Sequence, residues 1–363
     1  MGLSGTMPSA FPKLDDIGGW PEIFRKLAAS RDLSQVEAYA ALAEIWSGEA
    51  KESQIGAFLL GLRQKKETAE EMVGLTKAML AFAEKLEIAG DSVDTCGTGG
   101  DRSGSVNVST IAAFVVAGAG VAVVKHGNRA ASSKAGSADV LGELGVAVDL
   151  PPAAVKTCVE EVGMGFCFAP RFHPAMRFAI PVRQALGIPT VFNFLGPLAN
   201  PARVPFQVVG VSDQAMGPKM ALVLRSNGVR RALVVYGHDG LDEISTTAPS
   251  TIIEVSANEI RSKVYDVDPV DFGIGRARLE DLKGGDAKHN AQCARAVLAG
   301  EKGPHRDIAV VNAAAALLVS GAVGSFEEGI QVASESIDSR KAAGVWDGLA
   351  QLSTRLAAES QGS

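Results

Sequence analysis

At 363 residues the chain is long enough for one large domain or two ordinary ones with an ample core. Hydrophobic residues at 47% against charged residues at 21% exclude a disordered chain, and a net charge of −6 argues against a general nucleic-acid binder, whose surface must be cationic. No apolar run is long enough to span a membrane, and four cysteines without CxxC spacing suggest neither zinc nor disulfides, so a reducing, cytoplasmic setting is expected.

Residues 1–18 read as a flexible tail. From 19 to about 90 the period is helical. Ser34-Gln35-Val36-Glu37 and Thr68-Ala69-Glu70-Glu71 have capping-box spacing, and Ile55, Phe58, Leu59 and Leu62 recur three and four apart. At Asp91 the texture changes to short β-branched runs, each followed by glycine and helix. Ser92 to Thr95, Val121 to Val124, Val146 to Asp149, Gly165 to Phe168, Phe206 to Val211, Ala232 to Tyr236 and Thr251 to Val255 read as strands. Helices are expected between them, including Ser109 to Ala117, Ser137 to Leu144 and Pro152 to Val162. The segment 171–201 breaks the alternation with helix and prolines and is expected to complete the helical domain. Beyond Asp286 the chain is alanine-rich and helical. Residues 91–170 and 202–358 thus form an α/β domain with a mainly parallel sheet flanked by helices, and ligands belong at the carboxyl ends of its strands.

Two such strand ends carry chemistry. Cys96-Gly97-Thr98-Gly99-Gly100-Asp101 leads through Ser105 to Asn107, Val108, Ser109 and Thr110 at a helix start, where amides, hydroxyls and the helix dipole favour a phosphoryl group. The loop is not a dinucleotide fingerprint, since Arg102 stands at the third glycine position, nor a Walker A loop, since Ser105 follows Gly104 where lysine is required. The second loop, Lys125-His126-Gly127-Asn128-Arg129-Ala130-Ala131-Ser132-Ser133, continues to Ser137. Its cations and serines directly after an apolar strand read as an anion cradle. Asp242 and Glu243 follow a third strand. Adjacent carboxylates are usually just solvated, but beside a diphosphate they are natural Mg²⁺ ligands, because hard oxygen donors and phosphates together complete an octahedron. His305-Arg306-Asp307 with Asn312 matches a kinase catalytic-loop spacing. The Asp271-Phe272-Gly273 element precedes it, however, which is the reverse of kinase order, so the match is coincidental. Arg183 and His173, in the irregular segment, are ambiguous on their own.

Taken together, GTGGD, NVST, KHGNRA, GSAD, HPAM, PVR, Asn193-Phe194-Leu195-Gly196-Pro197-Leu198-Ala199-Asn200-Pro201 and GLDEIS resemble the anthranilate phosphoribosyltransferases, in that family's order and over roughly residues 20 to 350. The resemblance implies a nucleoside phosphorylase/phosphoribosyltransferase-like fold and a homodimer joined through the helical part. The implied reaction joins anthranilate to 5-phosphoribosyl 1-diphosphate, giving N-(5-phosphoribosyl)anthranilate and diphosphate. On the matching positions, Gly97, Gly100, Asp101, Ser105, Asn107 to Thr110, Lys125 to Ser133 and Ser137 would hold the donor. Ser109, Asp242 and Glu243 would organise Mg²⁺. Gly97, His126, Asn128, His173 and Arg183 would meet anthranilate, and no general base is assigned. Two alternatives stay open here. One is a nucleoside phosphorylase-like enzyme, although its usual lysine-histidine-serine loop is missing. The other is a non-catalytic nucleic-acid-binding relative, against which the acidic balance speaks.

Overall fold

The structure, a computed structural model, describes residues 11–130, 134–257, 259 and 261–361. Four helices open it: α1 (Gly19–Ala28), α2 (Gln35–Ser47), α3 (Glu52–Lys65) and α4 (Ala69–Ala81). Both expected capping boxes form. Ser34 Oγ accepts the Glu37 N–H at 3.2 Å while the Glu37 carboxylate takes the Ser34 N–H at 2.9 Å; Thr68 and Glu71 repeat the exchange at 3.2 and 2.8 Å. Glu71 is buried with Lys65 Nζ 2.8 Å away and the Leu33 N–H at 2.8 Å, so its charge is matched inside the bundle. The described part of the tail is not loose: the Phe11 ring stacks on Tyr39 with centroids 3.9 Å apart, and Leu14 is buried. Residues 1–10 lie outside the described residues.

The α/β part alternates as expected. Strand β1 (Ser92–Gly97) is followed by α5 (Val108–Gly118), β2 (Ala122–Gly127), α6 (Ser137–Glu143), α7 (Pro152–Val162) and β3 (Met164–Phe168). The interrupting segment folds into short helices, α8 (Ala169–Phe172), a 3-10 turn at Pro174–Phe178, α9 (Ile180–Leu186) and α10 (Phe192–Leu195). It lies on the N-terminal helices: Phe192 stacks on Trp46 at 5.4 Å, and Ala175, Ala179 and Val182 share their core. The chain then returns through β4 (Phe206–Gly210), α11 (Gly217–Ser226), β5 (Arg231–Gly237), β6 (Ser250–Ser256) and β7 (Lys263–Val267), and ends in α12 (Ala287–Leu298), α13 (Pro304–Ser320), α14 (Phe326–Asp338) and α15 (Lys341–Gln361).

The sheet runs β3-β2-β1-β4-β5-β6-β7, parallel from β3 to β5 and antiparallel across β6 and β7. Two expectations change. Val146 to Asp149 is not a strand: β3 already occupies the edge of β2, and the segment instead bonds α15 through the Ala147 N–H and Ser353 Oγ at 3.0 Å. Conversely, β7 was not foreseen, because an edge strand reading Lys263-Val264-Tyr265-Asp266 carries the charges that protect edges. From β1 the chain first builds outward on one side through β2 and β3, then on the other through β4 and β5. The carboxyl ends of β1 and β4 therefore flank a topological switch point, where open α/β sheets bind ligands. Behind them runs α13, buried on nearly every side, and its kinase-like residues prove structural: Arg306 holds both oxygens of Asp338 at 2.6 and 2.8 Å.

Candidate active site

The glycine loop leaves β1 in a conformation that side chains resist, with φ of 63° at Gly99, 79° at Gly100 and 67° at Gly104. Gly97 must lack a Cβ for another reason, since that atom would collide with Asp242 Oδ2. Gly210 at the end of β4 likewise lies directly under the Asp242 backbone carbonyl. Asp242 then accepts the Gly99 N–H at 2.7 Å, so a carboxylate more than a hundred residues away braces the loop. Thr98 N–H donates to the Gly210 carbonyl at 2.9 Å and Ser212 Oγ to that of Gly99 at 2.9 Å. Further along, Asp101 takes the Ser103 hydroxyl at 2.6 Å, and that oxygen meets Ser105 Oγ at 3.1 Å. Asn107 is held by Asn290 at 2.8 Å. Val108 and Thr110 are fully buried, so of the expected hydroxyl row at the α5 start only Ser109 faces the site.

Lys125 is the buried cation of the site. It is 1% exposed, and its Nζ touches the Thr95 carbonyl and lies 3.2 Å from Ser109 Oγ. Its ammonium is aimed along the sheet toward the α5 N-terminus. Around it gathers negative charge. Burial, then the proximity of Asp101, pushes Asp242 up to about 6. Burial and the Asp242 charge push Glu243 well above the usual carboxylate range, against the pull of Lys125 and the Ser109 N–H. Two crowded carboxylates with little cationic compensation are electrostatically incomplete, and a divalent cation would supply what they lack. Among the described residues no three acidic, imidazole or thiol groups converge into a full metal cage. The donor set therefore suits a hard cation that shares its remaining positions with oxygens of a bound molecule.

The second loop divides its residues between two sides of the sheet. His126 turns away from Lys125 into a buried niche under α10, where its Nδ1 lies 3.1 Å from the Gly196 carbonyl and its ring 5.1 Å from that of His173. A carbonyl only accepts, so Nδ1 carries the proton, and Nε2 is left buried without a partner. Burial and then the neighbouring His173 lower His126 to about 3, and burial lowers His173 to about 4, so both rings are neutral. His173 Nε2 bonds the Ala199 carbonyl at 2.9 Å. Below them Asp94, fully buried, accepts from the His126 N–H at 3.2 Å and from Asn200 Nδ2 at 2.8 Å.

Gly127 ends β2, and Asn128 and Arg129 beyond it are exposed. The Arg129 guanidinium is taken by a carboxylate of its own loop: it pairs with Asp139 at 2.9 Å and lies 5.7 Å from the Phe168 ring centre. Asp139 is the residue that sequence reasoning missed. Its carboxylate also accepts the N–H groups of Ala130 and Gly136, each at 2.9 Å, closing the loop across its base beside Ser137. Burial raises its proton affinity, but these donors outweigh it and hold the carboxyl below its usual range. The Glu-or-Asp-at-N3 spacing after Gly136 was the available signal. Ala131, Ser132 and Ser133 lie outside the described residues.

Arg183 lies on α9 in the helical part. Its guanidinium lies 5.3 Å from the Phe192 ring centre, burial lowers its proton affinity, and among the described residues no carboxylate pairs with it. A part-desolvated, unpaired guanidinium over an aromatic face fits a planar carboxylate.

A helical bundle beside an α/β sheet is the two-part arrangement that two glycosyl transferase family models describe, and both match this chain. The "Glycosyl transferase family, a/b domain" matches residues 89–343 and the "Glycosyl transferase family, helical bundle domain" residues 21–83. The anthranilate phosphoribosyltransferase of Thermoanaerobacter sp. (strain X514) is 51% identical over 87% of this chain and 94% of its own length. That of Saccharopolyspora erythraea is 48% identical over 95% and 99%. Among solved structures, the Thermus thermophilus enzyme superposes with a TM-score of 0.86 at 39% identity, covering 92% of this chain and 99% of that one. The Saccharomyces cerevisiae enzyme in complex with PRPP and Mg gives 0.85 at 28% identity, over 93% and 98%. The chain belongs to the anthranilate phosphoribosyltransferase family, and these matches favour that reading over both alternatives.

Proposed function

We propose that the chain transfers the 5-phosphoribosyl group from 5-phosphoribosyl 1-diphosphate to the amine of anthranilate, the phosphoribosyl step of tryptophan biosynthesis. One observation carries the site assignment: Asp242 and Glu243, Lys125 with Ser109, and the glycine loop converge at the carboxyl ends of β1 and β4. The yeast relative's complex with PRPP and Mg supports the choice of donor and cation, and its complex with 4-fluoroanthranilate supports the acceptor.

In this reading Gly97, Gly100, Asp101, Ser105, Asn107 and Ser109 offer amides and oxygens to the donor, and the backbones of Val108 and Thr110 contribute only the α5 N-terminus. Gly127, Ala130 and Ser137 form the cradle's base. Asp242, Glu243 and Ser109 would hold Mg²⁺, which when bound neutralises charge on the departing diphosphate. Lys125 contributes a second, permanent positive charge beside the same oxygens. Arg183 takes the anthranilate carboxylate, Asn128 reaches its amine side, and the neutral His126 and His173 line a dry path for the ring. The C1–N bond forms as the C1–O bond to diphosphate breaks, with inversion, and the proton lost from nitrogen passes to the released diphosphate or to water. The aryl amine is already a nucleophile, so positioning and leaving-group electrostatics suffice and no side chain needs to act as a strong base. We further propose a cytoplasmic homodimer joined through the helical part, where Val36, Leu60, Ile180 and Ile188 expose apolar surface.

The test is direct. Mixed with anthranilate, 5-phosphoribosyl 1-diphosphate and Mg²⁺, the protein should quench anthranilate fluorescence as product forms. Persistence of the signal, or a loss that ignores chelation of Mg²⁺, would overturn the reading.

A further inference from the structure

Asn312 lies on α13, 3% exposed, in a helix whose other buried residues after Arg306 are alanine, valine, leucine and isoleucine. A lone amide in such a setting is costly unless each of its groups is bonded. Its Oδ1 accepts the Ile244 N–H at 2.9 Å, and its Nδ2 donates to the Ile244 carbonyl at 2.9 Å and to the Ile308 carbonyl at 2.9 Å. Both backbone groups of one loop residue are thus gripped by one side chain from beneath. The residue gripped is the informative part. The Ile244 N–H belongs to the peptide plane that joins Glu243 to Ile244, so fixing it fixes the torsion that aims Glu243.

Much of the rest of the carboxylate loop is pinned by its own atoms. Gly237 N–H bonds the Leu241 carbonyl at 2.8 Å, Ser245 N–H bonds Ser250 Oγ at 2.8 Å, and Ser245 Oγ bonds Asp239 at 2.6 Å. Asp242 rests on Gly97 and Gly210. The Gly99 and Ser109 N–H groups reach the carboxylates themselves and the Ala277 N–H reaches the Thr246 carbonyl at 3.0 Å, whereas Asn312 ties the backbone next to Glu243 to the core helix α13. We propose that Asn312 is a positioning residue for the cation site: it touches no substrate, and it holds the Glu243 peptide so that the Asp242–Glu243 pair presents its oxygens together. The inference rests on the reading of that pair as the Mg²⁺ carboxylates.

The experiment titrates Mn²⁺, followed by its free-ion paramagnetic resonance, into protein saturated with 5-phosphoribosyl 1-diphosphate and without anthranilate. Asn312→Ala and Asn312→Ser should bind Mn²⁺ about tenfold more weakly or worse. Their Mg²⁺ requirement for turnover should rise in step, with the KM for anthranilate unchanged. Ser336→Ala, which removes a buried hydrogen bond of 2.8 Å to the Val115 carbonyl away from the site, controls for stability alone and should bind Mn²⁺ normally. Should the alanine variant fail to fold, the serine variant, able to keep part of the Ile244 contact, is decisive. Wild-type Mn²⁺ affinity in a folded Asn312 variant with lowered melting temperature would make Asn312 scaffold only and overturn the inference. Asp242→Ala combined with Glu243→Ala is the reference: if that protein binds Mn²⁺ as the wild type does, the metal reading itself fails and the inference with it.

Discussion

The glycine loop after β1 and the cationic loop after β2 start from neighbouring strands and are secured by opposite means. The first is cross-linked to residues far away in sequence: Gly210, Ser212 and Asp242 hold its near half, and the Leu282 carbonyl takes the Val106 N–H at 3.1 Å at its far end. Among the described residues the second is closed chiefly by one carboxylate of its own, Asp139, which holds Arg129, Ala130 and Gly136, with one outside tie from Asn107 Nδ2 to the Ala135 carbonyl at 3.2 Å. The first loop is thus vulnerable to changes anywhere in the sheet, and the second mainly to changes within itself.

Four measurements break or sharpen that contrast. Asp242→Ala with Glu243→Ala removes both the brace of the glycine loop and the acidic pair, so kcat/KM should fall by about 10²–10³-fold or more; a small effect would show that the loop needs no distant support. Gly97→Ala inserts a methyl group that collides with Asp242 Oδ2, and turnover should drop by about 10²-fold while the protein stays folded. Asp139→Ala leaves two loop N–H groups unpaired, costing about 1–3 kcal/mol by urea unfolding and raising the donor KM more than it lowers kcat. The smallest effect concerns pH. The folded protein holds His126 near 3 and His173 near 4, whereas unfolded histidine titrates at about 6.5. As pH falls below that value, the unfolded chain takes up protons that the folded chain refuses, so stability is lost from about 6.5 down toward 4. His126→Asn should make the loss between pH 6 and 5 shallower by about 1.4 kcal/mol per unit; an unchanged slope would place the titrating groups elsewhere.

The same contrast explains what could be read in advance. Capping boxes, strand-glycine-helix alternation and the two loops are local patterns of residue type, and they were legible because local backbone chemistry imposes them. The sheet face on which a side chain emerges was not. Lys125 and His126 are adjacent, and pleating sends one to Ser109 and the other to Gly196, so a cluster of cations in the sequence dissolved into separate jobs. Asp139 was overlooked because its three partners are nearby backbone and a surface arginine, which leave no mark beyond an acidic residue near a helix start. Val146 to Asp149 alternated like a strand but had no free edge to join. Asn312 appeared only within a misleading kinase-like string, since its partner is backbone 68 residues earlier.

The helical part and the sheet do not meet as two separately finished bodies. Val209, Val211, Ala232, Val234, Ile253 and Val255 on one sheet face lie in the same apolar cluster as Leu42, Phe58 and Met72 of the bundle, with Met220 and Leu224 of α11 among them. Such a joint has no dry seam along which to swing open, because any wide separation would wet that entire cluster. The rearrangement between the two parts that keeps this cluster dry is a sliding of packed helices over small distances. Arg183, next to Val182 of that cluster, is thereby tied to the sheet through shared core, so the residue proposed to take the acceptor carboxylate has little freedom to drift from the strand ends.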